Sequence, residues 1–193
     1  MNETEIIRSA TTLVTVLFGF LLGQISEWVK NKRKSKSKSA SIRKIISLEK
    51  KHNTALLNNY YEAIISSTPE WKTENKEFRY VQFAEQAART PFPILTTEAW
   101  QANLGEVTSA YKENELEQFW EFHIQLKALA SMHEFFCEAN QQRRETTRFH
   151  DSKNGPGIGG FIGGLGFSEI VREPAKEFHR TLLSVIKPCE GHV

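Results

Sequence analysis

The sequence predicts an all-α protein, with an N-terminal transmembrane helix followed by a cytoplasmic antiparallel helical bundle. Three observations predict it. An uncharged run of 18 residues, Ser9–Ser26, lies near the N-terminus. A segment dense in Lys and Arg follows it. Beyond that segment, apolar residues recur at three- and four-residue steps, the helical period, and no stretch alternates with the two-residue period of a strand.

The uncharged run is bounded by Arg8 and Glu27. At about 1.5 Å per residue, a helix over 6–29 is long enough for a hydrocarbon core of about 30 Å. Trp28 stands where an interfacial aromatic belongs. The acidic start, MNETE, and the lack of a small-residue cleavage site argue against a removable signal peptide. One Arg precedes the run, and nine Lys/Arg lie between Lys30 and Lys50. The positive-inside rule therefore places the N-terminus outside and the domain in the cytoplasm, with the span in the plasma (inner) membrane. Thr11, Thr15, Gly19 and Gly23 recur every four residues, and Gly19–Gly23 is a GxxxG. Small residues let two helix backbones approach closely in lipid, so this face predicts a homodimer through the anchor.

Residues 30–41 are expected to form a basic juxtamembrane linker. Lys30, Lys32, Arg33, Lys34, Lys36 and Lys38 are its candidate contacts to anionic lipid headgroups. Residues 30–44 hold eight of the 25 Lys/Arg and no acid, so the remainder carries 17 basic against 23 acidic groups. Phosphate affinity comes mainly from Lys and Arg, so this balance argues against nucleic acid as a partner.

The bundle is expected over 42–187. Ile42, Ile45, Ile46, Leu56, Leu57, Tyr60, Ala63 and Ile64 mark a first long helix over 42–65, ended by Pro69, which disfavours helical backbone at Thr68. Phe78, Tyr80, Val81 and Phe83 fit a short helix or a loop. Thr90–Ile94, with two prolines, predicts extended chain. A helix then opens at Thr96 or Thr97 as N-cap and runs to about Tyr111. The strongest period spans 113–148. Phe119, Phe122, Leu126, Leu129, His133 and Phe136 form its stripe, and Leu116, Trp120 and Ile124 are expected to widen it. Residues 154–166 hold seven of the eleven glycines and are expected to be a loop. Ser168 is the expected cap of a last helix, with Pro174 near its first turn. Residues 188–193 are a tail.

Few motifs invite chemistry. Gly155–Gly160 spells GxGxxG, but polar residues precede it where the dinucleotide fingerprint needs a strand. Thus no cofactor is implied. His133 and Cys137, at i and i+4, have the spacing of two metal ligands. No second pair joins them, so no metal is expected, and His133 and His123 read as hydrogen-bonded core histidines. Cys137 and Cys189 are expected to be free thiols.

Arg144 and His150 form an R-x5-H pattern that resembles the motif of HEPN-type ribonucleases. In that family an Arg and a His converge on a scissile phosphate, usually across a dimer. The resemblance implies a ribonuclease in which Arg144 and His150 are catalytic. Glu145 departs from the pattern, which usually has Asn, Asp or His there.

A broader resemblance covers residues 10–136. Its parts are the small-residue end of the span (Gly19-Phe-Leu-Leu-Gly23), the basic linker, an E-x3-N pair (Glu49 and Asn53), a T-x-A-W helix start (Thr97 to Trp100) and Tyr111. Together they are similar to an uncharacterised group of small bacterial single-pass membrane proteins. The resemblance implies a membrane-anchored helical protein and brings no activity with it. The expected function is a non-enzymatic interaction or scaffold subunit on the cytoplasmic face, with membrane lipids, a second copy or another protein as partners. The alternatives are the HEPN-like ribonuclease and a lipid- or stress-sensing membrane protein.

Overall fold

The computed structural model describes the backbone of residues 3–68, 76–154 and 158–187, and the side chains of 19–68, 79–153 and 166–187. Every regular element among the described residues is a helix: α1 (Glu3–Ser66), α2 (Lys76–Arg89), α3 (Glu98–Ala110), α4 (Glu113–Asn154) and α5 (Ile158–Ile186).

α1 is unbroken for 64 residues, a length of about 96 Å at 1.5 Å per residue. The span, the basic linker and the first bundle helix of the sequence reading are therefore one rod. Only its C-terminal half joins the bundle, because its first buried side chain is Ile42. Before that point its described side chains are exposed, apart from Val29 and Ser39, which are half-buried. Among the described residues, no helix is long and apolar enough to cross a membrane. The side chains of Thr11 and Thr15 lie outside the described residues.

Two helix pairs run antiparallel, α1 with α3 and α4 with α5. α3 descends along α1, with Glu106 opposite Lys38 and Thr96 opposite Asn53. α5 returns along α4, with Phe167 beside Arg143 and Phe178 beside Phe136. The larger core lies where α1, α2, α4 and α5 meet, and Leu57, Phe83, Leu129, Phe136, Phe178 and Leu182 are fully buried there. A smaller core joins Ile42 and Ile46 of α1 to Trp100, Val107 and Ala110 of α3. Between α2 and α3, residues 91–97 form no helix, as the two prolines favour.

Four expectations need correction. The segment expected as a glycine loop over 154–166 is helical from Ile158, and residues 155–157 lie outside the described ones. Ile158, Phe161, Ile162 and Leu165 keep helical spacing. Helical glycine costs about 1 kcal/mol against alanine, which tertiary context can override. Ser168 is consequently not a cap, and Pro174 sits deep inside α5. The carbonyl that Pro174 leaves without a donor belongs to Ile170, an exposed residue. Trp120 and Ile124 do not widen the buried stripe of α4, since each is 54% exposed. Thr97 is the N-cap residue of α3 as expected, but its side chain makes no capping hydrogen bond; its hydroxyl accepts from Gln101 Nε2 at 2.9 Å instead.

Candidate functional site

The cap that Thr97 does not supply comes from α1. Glu49 Oε2 accepts the Ala99 amide at 2.7 Å, and Oε1 accepts the Trp100 amide at 3.3 Å. A helix start leaves such N–H groups unpaired, and its partial positive charge favours a carboxylate. One turn further along α1, Asn53 brackets the residue before the cap. Its Nδ2 donates to the Thr96 carbonyl at 2.6 Å, and the Thr96 amide donates to its Oδ1 at 3.0 Å. The four-residue step from Glu49 to Asn53 puts both on one helix face. Both side chains are buried, and these bonds offset the desolvation of their polar groups.

α4 closes the cluster. His123 stacks on Trp100 at 4.5 Å, and its Nε2 lies 3.5 Å from Glu49 Oε1. The Phe119 carbonyl, 2.7 Å from His123 Nδ1, can only accept, so Nδ1 is the donor. At the far end of α3, the Tyr111 hydroxyl donates to the Arg43 carbonyl at 3.1 Å. The Arg43 guanidinium lies 5.3 Å from the Tyr111 ring centroid and donates to the Ala110 carbonyl. Glu49, Asn53, Trp100 and Tyr111, scattered in the sequence, thus form one α1–α3 clamp. Sequence reading noticed each of them without finding what joined them. The available signal was a buried-type carboxylate and amide at i, i+4 on an otherwise apolar stripe.

Beside the clamp, Trp100, Gln101 and Leu104 of α3 face Trp120, Ile124 and Lys127 of α4 across a groove of about 150 Å³. Trp120, Ile124 and Leu104 are its exposed apolar rim. Thr97 and His123 complete the lining of the groove. Its chemistry suits apolar contact with a polar edge.

The other candidates are placed as follows. Arg144 and His150 lie on one unbroken helix, six residues apart. That separates them by about 9 Å along the axis and about 120° around it, so one copy does not bring them together. His150 packs edge-on against Phe149. His133 Nε2 lies 3.2 Å from the Thr90 carbonyl, and Cys137 Sγ donates to the Ala88 carbonyl at 3.7 Å. Cys137 thus ties α4 to α2 and His133 ties it to the segment that follows α2, and no cluster of three metal-ligating side chains occurs among the described residues. Burial, and then Glu134 and Glu138, raise the Cys137 thiol pKa, the reverse of what a thiolate nucleophile needs. Cys189 lies outside the described residues.

Lys30, Lys32, Arg33, Lys34 and Lys36 are exposed, and Lys32 Nζ lies 4.7 Å from the Trp28 ring centroid. Lys38 pairs instead with Glu106 at 2.7 Å. A Cβ built on Gly19 or Gly23 meets nothing within 4 Å, so packing within the chain does not require glycine at either position.

Comparison with protein-family models, with curated proteins and with solved structures finds no match for this chain.

Proposed function

We propose that the protein is a membrane-anchored interaction subunit, held by the N-terminal part of α1 with its bundle on the cytoplasmic side. One observation carries this reading. Phe20, Leu21, Leu22, Ile25 and Trp28 are all more than half exposed and spread over about 200° of the rod's circumference, with no bundle against them. An exposed apolar arc of that width, left uncovered by the bundle, marks a surface for lipid or for a partner.

The basic stretch supports the same reading. In a continuous helix, Lys30–Lys34, Lys32–Lys36 and Lys34–Lys38 are like-charge pairs at i, i+4, each unfavourable by about 0.2–0.5 kcal/mol. An anionic leaflet offsets that repulsion and attracts each basic residue by about 1 kcal/mol close to the surface. The bundle then presents the Trp120–Ile124 groove to a partner protein, and the interaction role needs no reacting groups.

A reporter enzyme active only outside the cytoplasm, fused to the C-terminus of the full chain, tests this topology. The fusion is expected to be silent, while the same reporter at the N-terminus is active. An active C-terminal fusion contradicts the reading.

A further inference from the structure

A second cavity, of about 410 Å³, opens between α1, α4 and α5. It falls within the range of small-molecule sites. Lys50 of α1 forms one wall, Gln118, Glu121, Phe122 and Gln125 of α4 another, and Ser184 of α5 a third. Among the described residues no Cα of α1 comes within 8 Å of a Cα of α4.

Lys50 is the unusual member. Its Nζ lies 5.1 Å from the Phe119 ring centroid and 5.2 Å from that of Phe122. Among the described residues it has neither a carboxylate partner nor a hydrogen-bond acceptor. Burial alone lowers its pKa. An ammonium half-withdrawn from water and held by ring faces only gains from an anionic group placed on it.

α4 also lines the cavity with a carboxylate. Glu121 Oε1 accepts from Gln125 Nε2 at 3.1 Å, which leaves Oε2 for a cationic donor. A phosphate dianion would meet Glu121 repulsively, and a simple amine would meet Lys50 so. Opposite charges lining one cavity suit a molecule that carries both signs. The Gln118 amide and the Ser184 oxygen add neutral hydrogen-bonding groups, and Phe122 supplies an apolar floor.

We propose that this cavity binds a small aliphatic α-amino acid. Its carboxylate rests on Lys50, its ammonium on Glu121, and its side chain on Phe122. Because the walls belong to three helices, the ligand ties α1 to the α4–α5 pair and stabilises the fold by mass action.

The test is titration calorimetry of the full chain in detergent micelles with L-leucine, and with acetate and methylammonium as single-charge probes. L-leucine is expected to bind saturably, and neither single-charge probe to bind comparably. Lys50→Met and Glu121→Gln are each expected to weaken L-leucine at least tenfold, while Lys51→Met, at an exposed site outside the cavity, leaves it unchanged. Glu121 is exposed, so Glu121→Gln keeps the test decisive if Lys50→Met fails to fold. Absence of saturable L-leucine binding overturns the proposal. So does acetate binding as tightly as L-leucine, or full affinity in Glu121→Gln.

Discussion

Glu49 Oε2 lies 2.7 Å from the Ala99 amide, fifty residues downstream, and closes the N-terminus of α3 from the side of α1. The bond joins the start of one helix to the middle of another. The small core of Ile42, Ile46, Trp100 and Val107 depends on that registration. It also fixes Trp100, which lines the groove assigned to partner contact.

Glu49→Ala should therefore cost about 1–3 kcal/mol, since it removes a cap and leaves buried N–H groups unpaired. Urea unfolding measures it. Glu117→Ala, at an exposed site on α4, should change stability by less than about 0.5 kcal/mol. Equal effects of the two substitutions would rule out the clamp.

Gly166 lies inside α5, and a Cβ there meets nothing within 4 Å. Gly166→Ala should raise stability by about 0.4–1 kcal/mol, because alanine loses less backbone freedom in a helix. A loss of stability would restore the loop expected from the sequence.

That expectation shows where the sequence was legible. The apolar stripes of α1 and α4 were readable because Ile42, Ile46, Leu57, Leu129 and Phe136 recur with the helical period and are buried. The glycine-rich start of α5 was not, since composition outweighed the spacing of Ile158, Phe161, Ile162 and Leu165. The groove was missed for a related reason. Trp120 and Ile124 extend an apolar stripe on paper, and only the placement of α3 leaves them open. The clamp was hidden because a cap is sought within a few residues of its helix, and here it lies fifty residues away.

Acid should unfold the protein in two stages. Burial, and then Arg79, lower the His179 pKa, so the unfolded chain takes up this proton first. Stability should fall as pH drops below about 6.5, the ordinary histidine value, and His179→Phe should flatten that limb. Burial alone would raise the Glu85 pKa, but the hydrogen bond and charge of Arg143, with Arg89 and Arg144, outweigh it and lower the pKa. Its contribution is present above the ordinary carboxylate range and is lost as pH falls through the lowered value. Glu85→Gln should flatten that second limb. Urea midpoints measured across pH check both, and an unchanged slope in either variant contradicts its assignment.

Gly19 and Gly23 have open space around them within one chain. If two anchors pair there, isoleucine at both positions should block their approach. Cross-linking of the full chain in membranes should then yield fewer dimers for Gly19→Ile/Gly23→Ile than for the natural chain. An unchanged dimer band would remove the pairing.

The exposed apolar turns around Phe20–Trp28 carry the central claim. Alkaline carbonate extraction of membranes from cells expressing the full chain tests it most directly, because it strips peripheral proteins and leaves spanning ones. The protein should remain in the membrane pellet. Its release into the supernatant would contradict the anchor.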